Sequence, residues 1–343
     1  MKLIRTEDAE GHVLCQDITQ IIPGKVKGPV FKKGHVVTRE DIPVLLSVGK
    51  ENLYIWEKCE GILHEDEAAA VLRDICMGEY MTAGEPSEGK IEICASRSGL
   101  LKVNSEKLHA INALGEMMIA TIHGNFPVKD GERIAAMRVI PLVIEEEKMQ
   151  RAKEVAGEEP LLKILPFKHV KTGIVTTGSE VYKGRIEDAF GPAIRRKLEE
   201  YDTEVIGQKI LDDDREAITA AIMEYAECGA DMILCTGGMS VDPDDKTPGA
   251  IRASGAGIIC YGAPVIPGAM FLLAYLKYKE KKIPVIGLPG CVMYARRTIF
   301  DLVLPRVLAG EELTAEDIDR YGEGGLCLNC SPCTFPKCGF GRC

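Results

Sequence analysis

Two sets of residues in this 343-residue chain have types and spacings suited to chemistry. The first is a series of short runs rich in Gly, Ser, Thr and carboxylates. They are Thr176-Thr177-Gly178-Ser179-Glu180, then Thr236-Gly237-Gly238-Met239-Ser240 continuing to Asp242-Pro243-Asp244-Asp245, then Pro267-Gly268-Ala269, then Leu288-Pro289-Gly290. Glycine lets backbone N–H groups approach a phosphate or a heterocycle closely. Ser and Thr hydroxyls add adaptable donors, and neighbouring carboxylates suit a hard divalent cation that bridges to a phosphate. The second set closes the chain: Cys327-x2-Cys330-x2-Cys333-x4-Cys338-x4-Cys343. Thiolates so spaced can surround a soft metal. The run is close to the bacterial ferredoxin pattern, with four residues before the fourth cysteine and no proline after it; four thiolates suit zinc equally. Cys327, Cys330, Cys333 and Cys338 are the expected ligands.

The elements that must position the first set alternate in type. Strands are expected at Val170–Thr176, Val205–Ile210, Met232–Cys235 and Ile258–Tyr261. Helices are expected at about Asp188–Tyr201, Asp214–Cys228, Thr247–Ala253 and Val292–Leu308. Two apolar runs, Met270–Tyr278 and Ile283–Leu288, read as a hairpin closed by Lys279–Lys282. This alternation predicts a mainly parallel sheet covered on both faces over residues 168–312. In such sheets ligands bind at the carboxyl ends of the strands, which is where the four runs fall. The helix starts near Asp188 and Thr247 would add positive potential there.

Upstream, residues 1–80 read as a mixed α/β segment. A short strand is expected at His12–Cys15, a turn at Ile22-Pro23-Gly24-Lys25, a helix from Thr38 to Gly49, and a strand at Leu53–Trp56. A second helix bears Ala69, Leu72, Ile75 and Cys76 and ends at Gly78. Residues 81–145 are rich in strands and turns and suggest a small barrel or sandwich. The Pro127–Glu132 turn is weakly similar to that of biotinyl/lipoyl sandwiches, without their lysine attachment motif. The charged stretch 146–167 reads as a linker helix with a solvated face, and 313–343 as the cysteine tail.

Composition narrows the function. A net charge of −10 argues against a broad nucleic-acid footprint. No apolar run is long enough for a membrane span, and Lys2, Arg5, Glu7 and Asp8 leave no signal-peptide core. A cytoplasmic protein is expected, its 13 cysteines reduced. The eight cysteines before the tail read as small buried hydrophobes. The chain lacks Gly-x4-Gly-Lys-Ser/Thr, Gly-x-Gly-x-x-Gly after a strand, and a Gly-x-Ser-x-Gly elbow. The six histidines show no paired metal spacing.

Taken in order, Thr177-Gly178-Ser179-Glu180, Gly184-Arg185-Ile186-x-Asp188, Asp213-Asp214, Thr236-Gly237-Gly238-Met239-Ser240 and Asp245 resemble the molybdopterin-binding domain family. That family includes molybdopterin adenylyltransferases, molybdopterin molybdenumtransferases and gephyrin. Pro267-Gly268 and Gly287-Leu288-Pro289-Gly290 resemble the molybdenumtransferase branch, as does Gly11–Ile18 less specifically. The resemblance implies a three-layer α/β/α domain, molybdopterin as ligand, and molybdate insertion into the dithiolene with loss of AMP, aided by Mg²⁺. It also implies a homodimer that could serve a molybdoenzyme. Glu180, Asp213 and Asp245 match the family's acidic transferase positions. Thr177, Gly178, Ser179, Thr236, Gly237, Gly238, Ser240, Pro267, Gly268, Pro289 and Gly290 match its ligand-cradling loops, with Asp188 beside them.

The chain also departs from the branch. Ile22–Pro29 stands where the transferases carry a Ser-Ala-Met-Asp-Gly-Tyr-type motif, Ala269 where they carry a lysine, and Cys291-Val292 where they carry Asn-Pro. A carrier that presents finished cofactor is therefore a second reading. A third, nucleotide pyrophosphatase chemistry, rests on the Thr-Gly-Ser-Glu-like loop of damage-inducible proteins. Plainer roles are open for some residues: Asp214 reads as a helix cap, Asp188 as a cap or a ligand contact, and Asp242–Asp245 as an acidic turn.

Overall fold

The structure, a computed structural model, describes residues 2–22, 26–55, 60–240 and 242–342. Pro23–Lys25 of the expected first turn, Trp56, Cys59, Val241 and Cys343 lie outside the described residues. The chain forms two compact units. One comprises 1–96, 103–122 and 130–163; the other comprises 97–102, 123–129 and 164–343.

The first unit is β-rich. An antiparallel sheet runs in the spatial order Met81–Ala83, Lys90–Ala95, Arg133–Val139, Met117–Thr121. The Lys90–Ala95 strand alternates buried and part-exposed residues, with Ile91, Ile93 and Ala95 inward. The amphipathic helix Glu65–Cys76 packs on this sheet through Ala68, Ala69, Leu72, Ile75 and Cys76. Helix on sheet thus replaces the expected barrel or sandwich, because a helix already supplies the apolar cover that face requires. A further helix, Ser105–Asn112, was not legible in the sequence. The charged run expected as a linker is the helix Glu146–Ala156, and it is not wholly solvated: Met149, Ala152 and Ala156 are buried. His12–Cys15 makes only isolated bridges, Val13 to Val36 and Leu14 to Ile55. A hairpin of Ile18–Ile22 with Val26–Phe31 follows instead.

The second unit holds the expected α/β architecture. Its strands are β1 (Val170–Thr177), β2 (Thr203–Leu211), β3 (Met232–Thr236), β4 (Gly257–Tyr261), β5 (Leu272–Tyr278) and β6 (Lys281–Leu288). They form one sheet in the order β2-β1-β3-β6-β5-β4. The first four of that order are parallel; β5 runs antiparallel to them, and the edge strand β4, paired antiparallel to β5, runs in their direction again. The hairpin turn is only Lys279-Glu280, with Lys279 at φ 53°.

Alternation along the central strands feeds two cores. Ile174, Leu234 and Ile286 point into one, with Ile194, Leu198, Phe300 and Val303. Val175, Ile233, Cys235 and Val285 point into the other, with Ile218, Ile222 and Ile251. The helices supplying these residues are α1 (Phe190–Leu198), α2 (Arg215–Glu227), α3 (Thr247–Ala253) and α4 (Ile299–Leu308). A sheet buried on both faces by helices is the three-layer arrangement.

The expected long helix from Val292 to Leu308 is two pieces. A 3-10 turn covers Gly290–Met293, and α4 begins only at Ile299. The break has a local cause: Thr298 is extended and caps α4, and Asp301 accepts from the Thr298 N–H at 2.7 Å in a capping box. No helix among the described residues is long and apolar enough to cross a membrane.

Candidate functional site

The parallel strands end together, and the turns that follow them enclose a pocket of about 820 Å³. All four glycine-bearing runs reach it. Thr177, Gly178 and Glu180 follow β1; Gly237, Gly238, Met239, Ser240, Asp242 and Asp245 follow β3. Pro267, Gly268 and Ala269 precede β5, and Pro289 and Gly290 follow β6. Asp213 enters from the end of β2.

Two of the turns are tight enough to require glycine. Gly237 has φ +84°, and a Cβ there would sit 2.0 Å from the Thr177 carbonyl oxygen. Gly268 has φ +134°, and its Cβ would meet Ile299 Cγ2 at 2.5 Å. The wall between β1 and β3 is stitched by Thr247. Its hydroxyl donates to the Gly237 carbonyl at 2.8 Å and lies 3.2 Å from Thr177 Oγ1. Pro at the second position of α3 fits a helix start, where the missing N–H costs nothing.

The carboxylates divide by role. Asp213 Oδ2 accepts from the Ser179 N–H at 3.0 Å, while its Oδ1 is buried without a hydrogen-bond partner. Burial pushes the Asp213 carboxyl above its ordinary range, opposed by the Ser179 and Thr177 hydrogen bonds and reinforced by Glu180 and Asp212. Asp245 Oδ2 accepts from the Ser240 N–H at 2.6 Å and so closes the loop after β3. Tyr261 donates from its hydroxyl to the Met239 carbonyl at 2.9 Å, bracing the same loop. Glu180 lines the pocket beside Gly178. No Lys or Arg is among the lining residues. Among the described residues, no three His, Cys, Asp or Glu side chains converge closely enough to hold one metal ion.

Three expected site residues do not line the pocket: Ser179, Thr236 and Asp188. Ser179 acts through its backbone on Asp213. Thr236 is buried at the end of β3. Asp188 is a cap: it accepts from Phe190 N at 2.8 Å and Gly191 N at 3.1 Å, and Gln208 Nε2 donates to it at 2.6 Å. Asp214 likewise caps α2, accepting from Ala217 N at 2.8 Å. Residues missed from sequence include Phe190, Met270, Cys291, Met293 and Tyr294. The last three were hidden by the expectation of a continuous helix through Val292; the Thr298-x-x-Asp301 capping box was the available signal against it. Burial raises the Cys291 thiol above its usual value, so it is protonated near neutral pH.

A three-layer α/β domain with backbone turns converging at the carboxyl edge of its sheet is a small-molecule-binding domain of the doubly wound kind. Residues 173–309 match the family model described as a probable molybdopterin binding domain, and this segment is a domain of that family. Residues 3–57 match a domain of unknown function. A CinA-like protein of Mycobacterium avium is 39% identical over 77 residues, 22% of this chain and 18% of that protein. A CinA-like protein of Mycobacterium tuberculosis matches with the same identity and coverage. The chain thus matches about a fifth of the length of these relatives. Among solved structures, the molybdopterin biosynthesis enzyme MoaB of Thermus thermophilus is 22% identical. That alignment covers 41% of this chain and 98% of MoaB, with a TM-score of 0.33. The tungsten cofactor synthesizing protein MoaB of Pyrococcus furiosus is 23% identical over 36% of this chain and 84% of its own, with a TM-score of 0.30.

Proposed function

We propose that this pocket binds molybdopterin and that the chain inserts molybdate into the adenylylated form during molybdenum-cofactor assembly. One observation carries the reading: four turns far apart in sequence converge on a single pocket at the carboxyl edge of a parallel sheet, within a molybdopterin-binding domain. The pocket's volume suits a ligand of pterin-nucleotide size. Its turns offer N–H groups to phosphate oxygens, and its hydroxyls and carboxylates offer partners to the pterin edge.

The lining carries carboxylates and no basic side chain. A phosphate there needs its charge met, and carboxylate oxygens suit Mg²⁺. No three of these carboxylates converge on one point among the described residues, so Glu180 and Asp213 are the pair that would hold it, with the ligand's phosphate oxygens and water completing the shell and Asp245 serving the loop. When bound, the cation would neutralise charge at the phosphate from which AMP leaves. Asp213, with one oxygen unpartnered, would orient the phosphate end; Asp245 would keep the loop after β3 closed over the ligand. Free thiols and this chemistry fit a reducing cytoplasm. A homodimer is expected from the family resemblance, and analytical ultracentrifugation tests it.

A second reading, a carrier handing cofactor to a molybdoenzyme, is favoured by Ala269, which stands in the wall where the transferases carry a lysine. One experiment separates the two. Adenylylated molybdopterin, molybdate and MgCl₂ are supplied, and AMP release is followed beside an Asp245→Ala control. Release above the control supports insertion. Tight binding without release supports the carrier. Calorimetry showing no pterin binding removes both.

A further inference from the structure

The cysteine tail does not belong to the pterin pocket, and its geometry assigns it a site of its own. After the turn Arg320–Gly322 the chain runs to 342 without helix or extended strand, yet it is anchored. Phe340 is buried in the same core as α4. Gly341 donates to the Gly324 carbonyl at 2.9 Å, and a Cβ on Gly341 would meet Leu302 Cδ2 at 2.3 Å. Ile266 N donates to Gly325 O at 2.8 Å, and Cys327 N donates to Ile266 O at 2.8 Å. A segment with so little regular structure and so few apolar side chains needs some other staple to be ordered.

Cys327, Cys330, Cys333 and Cys338 all line one cavity of about 90 Å³. None is in a disulfide. Cys330 and Cys333 are exposed, and Cys327 and Cys338 half-buried. Cysteines that serve only as packing look different in this chain: Cys76 and Cys235 are fully buried in apolar cores, with thiols pushed up to about 12 by burial. Arg297 also faces the cavity, its guanidinium 4.9 Å from the Phe335 ring centre. Its charge is already shared by Glu200 at 3.0 Å and Asp301 at 2.9 Å, so it borders the cavity as an ion-paired wall.

The four cysteines line this one cavity, and among the described residues no three of them are close enough together to hold a single metal ion. A single ion such as zinc requires sulfurs drawn to about 2.3 Å from one centre. The cavity is several times the volume that admits one water. Four cysteines that share a cavity without closing on one ion suit a multi-atom core. The C-x2-C-x2-C run shares the first three ligand spacings of bacterial cluster-binding segments, and Cys338, set one residue further on than in that pattern, lines the same cavity.

We propose that Cys327, Cys330, Cys333 and Cys338 bind an iron–sulfur cluster. On ligation each thiol gives up its proton to the solvent; two ferrous ions, two ferric ions and four sulfides from the medium make up the core, so no further oxidant or reductant is needed. The site is independent of the pterin reading, because the test contains no pterin.

The test uses the full chain, purified without oxygen and reconstituted with equal amounts of ferrous and ferric salts and with sulfide. The wild type is expected to retain about four irons and four acid-labile sulfides per chain, with visible absorption that dithionite bleaches. Cys330→Ser with Cys333→Ser, both exposed, is expected to lose at least nine-tenths of the iron while keeping the wild-type far-ultraviolet circular dichroism. Cys228→Ser, an exposed cysteine elsewhere, is expected to retain it. Iron retention no greater in the wild type than in the double variant overturns the proposal. So does one zinc per chain, protecting the four thiols from alkylation, with no iron taken up. A double variant that fails to fold is replaced by Cys330→Ser alone, read by iron content and absorption in the same way.

Discussion

The pocket at the carboxyl edge of the sheet and the cysteine cavity sit in one unit but are made of different material. The pocket is built largely from backbone: turns after β1, β3 and β6 and before β5, with glycines where a Cβ would strike a neighbour. The cavity is built from side chains carried on irregular chain. A backbone-built site tolerates changes to many side chains and fails when a turn is forced into another conformation. A side-chain-built site fails when its donor atoms are replaced, whatever the backbone does. The difference explains why the first was legible as a series of motifs and the second only as a spacing.

The two sites share a support, and breaking it should have the largest effect. Lys197 on α1 is buried and ion-paired to Asp301 at 2.7 Å; it also donates to the Arg296 carbonyl at 2.9 Å. Asp301 in turn holds Arg297 at 2.9 Å and the Thr298 cap. Arg297 faces the cysteine cavity, and Ile299 packs under Gly268 of the pocket. Lys197→Met should leave Asp301 with only part of its compensation and cost about 3 kcal/mol. Urea unfolding followed by circular dichroism measures it, and loss below about 1 kcal/mol would show that Arg297 alone suffices.

A smaller effect should separate the sites. Gly237→Ala places a Cβ against the Thr177 carbonyl at a positive φ, with strain of about 1–2 kcal/mol before any clash. Pterin affinity should fall about tenfold or more, while alkylation of the tail cysteines proceeds at the wild-type rate. Gly290→Ala is the contrast, since nothing lies within 4 Å of its Cβ. Its stability should stay within about 0.5 kcal/mol of wild type. A large loss there would mean that the turn after β6 is more constrained than its backbone indicates.

The smallest effect concerns Asp213. Burial raises its carboxyl, so relative to the unfolded chain the fold is favoured while this group is protonated. That advantage is present at low pH and is lost as pH rises through the folded-state value. Asp213→Asn removes the ionisation, so the variant should melt about 1–2 °C higher than wild type at neutral pH. The gap should narrow on acidification toward the ordinary carboxylate range. Scanning calorimetry at several pH values reads it. A variant less stable than wild type at neutral pH would show that the Ser179 N–H contact outweighs the burial of charge.

Legibility differed by element for physical reasons. β3 and the Ile283–Leu288 part of β6 are apolar runs because both their faces are covered, and such runs are visible without knowing what covers them; β1 is as deeply buried but carries Thr172, Thr176 and Thr177. The turns were visible because glycine followed the strands. The break before α4 was missed because Val292, Phe300 and Val303 keep a helical rhythm across Thr298, and only the capping geometry interrupts it. Asp188 had two readings, and its three hydrogen bonds to Phe190, Gly191 and Gln208 decide for the cap. In the first unit, a barrel and a helix-covered sheet demand the same alternation from their strands, so the pattern of Lys90–Ala95 could not distinguish them.

The sequence by itself determined the alternating α/β order of the second unit, the positions of its four turns and the cysteine spacing. Each of these follows from local rules: apolar period, backbone freedom at glycine, distance along the chain. Only the tertiary structure decided which half-buried carboxylate keeps one buried oxygen unpartnered, that Cys291, Met293 and Tyr294 join the pocket, and that four tail cysteines line one cavity. Those outcomes depend on where residues distant in sequence meet, and no local preference encodes the meeting.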